Sequence, residues 1–182
     1  MGMEDNIGSS VERLIAKDQI REIVYSYSEA VTNRDTELMV SLYDSEASFG
    51  FLGEGDSALR SMIEKTMGDL EFAVILVSNH IISFENDEVA NGEVWARCYA
   101  QNRNEGYYVQ LVKYVDEYKR SKAEIGGKNP WKFKSRRHFL LFGESRESPL
   151  KLPEASWPES NVGVGRIPLE DNAVIDFRNR ES

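Results

Sequence analysis

Apolar residues along the chain follow two periods, and the change from one to the other divides the sequence into a helical and a stranded part. Val11, Leu14, Ile15, Ile20, Ile23, Val24, Tyr27, Ala30 and Val31 recur at three- and four-residue steps, the spacing of an amphipathic helix. Ser9-Ser10-Val11-Glu12 reads as a capping box at its start. Asn33-Arg34 breaks the pattern, and Asp35 is placed to cap a second, short helix carrying Leu38, Met39, Leu42 and Tyr43. Ala47, Phe49 and Phe51 alternate as a brief strand before Gly53 and Gly55 turn the chain. Asp56 then caps a third helix through Leu59, Met62 and Ile63, which Gly68 ends as a left-handed cap residue.

From Phe72 the period falls to two. Strands are predicted over 72–84, 88–102, 106–119 and 131–142, joined by Asn86-Asp87, by Asn104-Glu105-Gly106 and by a longer loop holding Gly126-Gly127. Short turns make these an antiparallel meander. Helices followed by such a meander predict an α+β domain, with the helices on one face of a sheet that must curl to cover them. The domain is placed at 9–142. Residues 143–182, with Pro149, Pro153, Pro158 and Pro168, read as an extended tail that packs on the domain or on a neighbouring subunit, with a last strand at Ala173 to Phe177.

Strand parity assigns the faces. A two-residue Asn86-Asp87 turn would set His80 opposite Glu93, Ser78 opposite Trp95, Leu76 opposite Arg97 and Val74 opposite Tyr99. This chemically mixed face predicts the lining of a pocket, because small-molecule sites combine an apolar wall with a few polar groups. Val94, Ala96, Cys98 and Ala100 then fall on the other face, the outside of the sheet. A next turn of two or four residues keeps Tyr108, Gln110, Val112, Tyr114 and Asp116 with His80, whereas three or five residues would reverse them. On the residues alone, a lone histidine on a half-apolar strand is more often a satisfied core residue than a catalyst.

Lys132, Lys134, Arg136 and Arg137 alternate with aromatics and read as a solvated face, and His138, on the same parity, as a surface or subunit-contact residue. The apolar row Val94 to Ala100 wants cover, which predicts a homodimer or homotrimer with the tail taking part.

Composition narrows the chemistry. The 182 residues suit one domain, and a single cysteine, Cys98, excludes an intramolecular disulfide. A formal net charge of −9 repels phosphate backbones, so no nucleic-acid partner is expected. The longest apolar stretch, Phe72 to Val77, is far below the roughly 20 residues of a membrane helix, and no leader pattern opens the chain, so a cytoplasmic protein with no membrane partner is expected. Two histidines and one cysteine, with no pair at ligand spacing, predict no metal site. Gly53-Glu54-Gly55 and Gly163-Val164-Gly165 lack the surroundings of a nucleotide loop, and no cofactor is expected.

The run Asp18 to Asp35, followed by Leu42-Tyr43-Asp44 and Ala47, resembles the opening of SnoaL-like proteins in the nuclear transport factor 2 superfamily. Ser78-Asn79-His80-Ile81-Ile82, Asp87-Glu88-Val89-Ala90, Tyr114-Val115-Asp116-Glu117-Tyr118 and Trp131-Lys132-Phe133 with Arg136-Arg137 resemble the family's later strands, over roughly residues 10–142. The resemblance implies a cone of helices and curved sheet around a pocket. In scytalone dehydratase and the bile-acid dehydratases that pocket hosts proton abstraction and loss of water, by a histidine beside a first-helix aspartate.

His80 matches the histidine. Thr32 stands where the aspartate would be, Tyr99 falls where a next-strand acid or histidine would be, Tyr27 matches a first-helix tyrosine, and Val112 lies near a third-strand serine. The expected catalytic set is therefore His80 as base with Tyr27 and Tyr99 as donors. Thr32, Leu76, Trp95, Arg97, Gln110, Val112 and Tyr114 are expected to line the substrate site. With Thr32 unable to orient an imidazole, the acids left for that task are Glu29, Asp35, Glu93 and Asp116. The expected function is a cofactor-independent dehydratase or isomerase of a hydrophobic cyclic or polyketide-like molecule. Its alternatives are a non-catalytic pocket or assembly protein and the small subunit of a ring-hydroxylating oxygenase.

Overall fold

A computed structural model describes residues 3–49, 53–103, 106–122 and 129–147. Three helices, α1 (Met3–Asn33), α2 (Thr36–Ser41) and α3 (Gly55–Met67), precede four strands, β1 (Leu70–Phe84), β2 (Val89–Asn102), β3 (Tyr107–Arg120) and β4 (Trp131–Arg146). The strands form one antiparallel sheet in chain order, and the helices pack on its concave face, as the α+β cone expectation requires. No helix among the described residues is long and apolar enough to cross a membrane. The tail, the Gly126-Gly127 loop and Phe51 lie outside the described residues.

Helix α1 supplies the stripe the periodicity predicts: Ile20, Val24 and Ala30 are fully buried. Burial of Ile20 and of Val24 contributes about 1.5–3 kcal/mol each. The stripe is uncovered at its start, where Leu14 stays 65% exposed. The helix also begins at Met3, ahead of the Ser9 capping box, so that box does not mark its end. Asp35 caps α2 as expected, its carboxylate accepting from the Leu38 N–H at 2.9 Å. Helix α3 starts two residues early, at Gly55 with Glu54 in the N-cap position, which puts Asp56 in the first turn instead of at the cap, and Gly68 is right-handed at φ −60°. Gly53 and Gly55 take positive φ, +103° and +75°, at the turn expected of them. Reciprocal backbone bonds, Asp44 N–H to Phe133 O and Phe133 N–H to Leu42 O, tie the α2 end to β4.

The register departs from the simple alternation in ways that decide the interior. The β1–β2 turn holds three residues, because Phe84 pairs with Ala90 and the Glu85 N–H bonds the Val89 carbonyl at 3.0 Å. His80 therefore pairs with Val94, not Glu93. A β-bulge at Ser78-Asn79 then adds one residue to β1, so that further along Leu76 does face Arg97 and Val74 does face Tyr99. Between β2 and β3, Gln101 pairs with Tyr107, which leaves an odd number of residues between them and reverses the parity of β3. A second bulge, at Lys134-Ser135, separates the pairs Tyr118–Phe133 and Glu117–Ser135.

These shifts invert several face assignments. Val94, Ala96, Cys98 and Ala100 are buried on the concave face, not outside, so they are no reason to expect an oligomer. Leu76, Trp95 and Arg97 occupy the outer row, Leu76 with 52% of its surface exposed. The second bulge separates Arg136 and His138 from Lys132 and Lys134 and turns them inward. The solvated-face reading therefore fails for Arg136, whose side chain is 3% exposed.

Candidate functional site

The concave face carries two adjoining rows. One runs His80, Val94, Tyr114, His138 across the four strands, and the next places Gly92, Asp116 and Arg136 side by side. Tyr118 lies two residues beyond Asp116 on the same side of β3 and is fully buried.

Four of these side chains form a continuous polar line. Arg136 Nε lies 3.1 Å from Asp116 Oδ1, with the carboxylate fully enclosed. The Tyr118 hydroxyl donates to Asp116 Oδ2 at 2.7 Å and lies 3.1 Å from His80 Nε2. A phenol has one proton, so Tyr118 gives it to the carboxylate and accepts from the imidazole. His80 is thereby held with its proton on Nε2 and its lone pair on Nδ1, and Nδ1 is enclosed without a hydrogen-bond partner among the described residues.

Gly92 makes the room. A Cβ there would meet Tyr118 Oη at 2.8 Å and His80 Nε2 at 3.0 Å. Arg136 in turn is stacked on aromatic rings, its guanidinium carbon 4.0 Å from the Tyr114 centroid, 4.3 Å from Tyr27 and 4.7 Å from Phe133.

Electrostatics keep the imidazole neutral. Loss of hydration on burial, helped by the positive charges of Arg136 and Arg21, lowers the His80 pKa to about 4. Burial also raises the Asp116 carboxyl above its ordinary value, against the opposing pull of Arg136 and Tyr118. With a guanidinium at 3.1 Å and a phenol donor at 2.7 Å, its carboxylate form is the one the geometry serves. The Tyr118 hydroxyl is driven well above its usual range by burial and by Asp116, and remains a donor.

Beside this line a cavity of about 210 Å³ opens between the helices and the sheet. Tyr27 and Val31 wall it from α1, Met39 from α2, Met62, Ile63 and Met67 from α3, and Cys98, Gln110, Tyr114 and His138 from the sheet. The His138 ring stacks on Tyr114 with centroids 5.3 Å apart. Cys98 Sγ is 3.9 Å from the Tyr114 hydroxyl and its thiol pKa is raised by burial, which disfavours a nucleophilic thiolate. Among the described residues no three His, Cys, Asp or Glu side chains converge as a metal ion would require.

The expected site residues are thus divided. Tyr27, Gln110 and Tyr114 border the cavity, whereas Tyr99, expected as a donor, edges it from the outer row of β2 with its ring on the Arg97 side, and His80 stands apart from the wall. Val112 is buried in the core, and the Thr32 hydroxyl bonds the Ser28 carbonyl at 3.0 Å. Leu76, Trp95 and Arg97 are on the far side of the sheet, where Arg97 lies 5.2 Å over the Tyr99 ring.

Sequence reasoning assigned no role to Tyr118, read Arg136 and His138 as surface residues, and held Asp116 as one of four candidate acids. Tyr114-x-Asp116-x-Tyr118 is a same-face pattern visible in the sequence once β3 is a strand. Arg136 and His138 are hidden by the bulge before them.

A sequence profile described as a SnoaL-like domain matches residues 12–137. Among solved structures, a LinA-type3 hexachlorocyclohexane dehydrochlorinase from Novosphingobium barchaimii superposes with a TM-score of 0.68 at 15% identity, covering 80% of this chain and 99% of that one. A putative scytalone dehydratase from Novosphingobium aromaticivorans gives 0.63 at 18% identity, again over 80% and 99%. An NTF2-like protein with a cystatin-like fold from the same species gives 0.60 at 17% identity over 78% and 92%. At these identities the likeness is one of fold. No curated protein matches by sequence.

Proposed function

Since the chain belongs to the SnoaL-like domain family, we propose that it is a small-molecule pocket protein acting as a cofactor-independent lyase of the dehydratase type, or an isomerase, on a hydrophobic cyclic molecule. His80 is its base. The observation that carries this reading is the buried line from Arg136 through Asp116 and Tyr118 to an imidazole kept neutral and fixed in one tautomer.

Such chemistry begins with removal of a proton next to a carbonyl or leaving group, and needs a neutral base and donors for the negative charge that develops. In the Nε2–H tautomer the proton is taken at Nδ1. Tyr118 and Asp116 then stabilise the imidazolium at Nε2, the role that a first-helix aspartate would fill and that Thr32 cannot. Tyr27, which walls the cavity and whose hydroxyl bonds no described residue, is the donor to the oxyanion. The putative scytalone dehydratase and the dehydrochlorinases of like fold lend support by analogy alone.

One observation favours a second reading, a binding protein without turnover: His80 does not border the cavity, and its free nitrogen is enclosed. Incubation with small cyclic ketones in heavy water separates the two. Catalysis predicts deuterium uptake beside the carbonyl, lost by a factor of about 10² or more in His80→Gln, the usual contribution of a general base. Ligand binding with no exchange in either protein would leave the binding reading standing and remove the catalytic one.

A further inference from the structure

We infer that His138 is the recognition group of the cavity, and that the cavity takes one substituted six-membered ring bearing a hydroxyl or enol oxygen. The inference rests on the pocket reading above, not on turnover.

Size sets the first limit. An apolar cavity of about 150 Å³ accommodates benzene, so about 210 Å³ holds a single ring with a few added atoms and not a fused polycycle. The wall sets the second. Its buried end is apolar, with Met39, Ile63 and Ala73 all below a tenth exposed. Met62 and Met67 add polarisable thioethers suited to a ring face. The open end carries His138, which is exposed and stacked on Tyr114, so its ring is held while its nitrogens bond no described residue. The bulge at Lys134-Ser135 aims it there.

Charge sets the third. No Asp, Glu, Lys or Arg is among the described residues of the wall, and the Arg136 guanidinium lies against the Tyr27 and Tyr114 rings. An ammonium group finds no counter-charge in such a wall, while a phenol finds in His138 a neutral acceptor for its proton. Partial loss of hydration against the sheet and the Arg136 charge both lower the His138 pKa, which keeps that acceptor available at neutral pH.

The test uses the full chain with ¹⁵N-labelled histidine and three probes: 4-methylphenol, toluene and benzylamine. The phenol is expected to bind at least tenfold more tightly than toluene, to shift the His138 ring signals while leaving those of His80 in place, and to exclude benzylamine. His138→Leu should erase the preference for the phenol while toluene binding is unchanged, and His138→Gln should restore part of it. Equal binding of phenol and toluene, an unmoved His138 signal, or benzylamine binding as tightly as the phenol would each overturn the inference. None of these readouts needs turnover, so a protein that binds the phenol through His138 yet catalyses nothing would sink the lyase reading alone.

Discussion

Asp116 has almost no freedom to be anything else. Its two oxygens serve Arg136 and Tyr118, it is 1% exposed, and the guanidinium it neutralises is packed among three aromatic rings. Removing one partner of a buried pair leaves the other charge unpaired in a medium that solvates it poorly, so Asp116→Ala should cost about 3–5 kcal/mol in urea unfolding. Replacing both partners by apolar residues, Asp116→Leu with Arg136→Met, should cost less than that single change, because no orphan charge remains. A double variant as unstable as the sum of its single changes would mean that the pair does not act as one unit. This residue was named from sequence among four acids without being singled out. What distinguishes it is Tyr118, two positions along the same strand face, and Gly92 on the neighbouring strand, which leaves room for Tyr118 to meet His80.

The strands show where sequence reasoning holds and where it stops. Periods, element order and the meander were legible, because amphipathic spacing is a property of each segment by itself. Facing was not, because it depends on counts at the turns and bulges, where one extra residue moves every later side chain to the other face. A three-residue turn after Glu85 brings His80 inside. The Ser78-Asn79 bulge then keeps Ala73, Ile75 and Val77 inside as well. No composition cue at Ser78-Asn79 or Lys134-Ser135 announces either bulge. Deleting Asn79 should therefore force one end of β1 to the wrong parity, breaking either the His80–Tyr118 contact or the bond from Ser28 to the Ile75 carbonyl. A loss of about 2–5 kcal/mol, comparable to emptying a core position, is expected in urea unfolding. A deletion variant within about 0.5 kcal/mol of the parent would show that the bulge does not set the facing.

Taken whole, the molecule is a cone whose shape was readable and whose contents were not. Three helices before four strands, with Ile20, Val24, Leu59 and Ile63 in the core, follow from pattern alone. The polar line inside depends on side chains from β1, β3 and β4 converging across the curl of the sheet, which no local pattern encodes. On the sheet, the exposed apolar side chains also fall elsewhere than parity suggested, on Leu76 and Ile81 of β1 and on Phe139 to Phe142 of β4. Both the inward turn of His80 and its contact with Tyr118 are read together by ¹⁵N spectra of the histidine ring nitrogens followed with pH. His80 is expected as a single Nε2–H tautomer that stays neutral down to about pH 4, and as a tautomer mixture once Tyr118→Phe removes the acceptor. An imidazole titrating near its ordinary value of about 6.5, with both tautomers present in the parent protein, would place His80 on the solvent side of the sheet and contradict the arrangement.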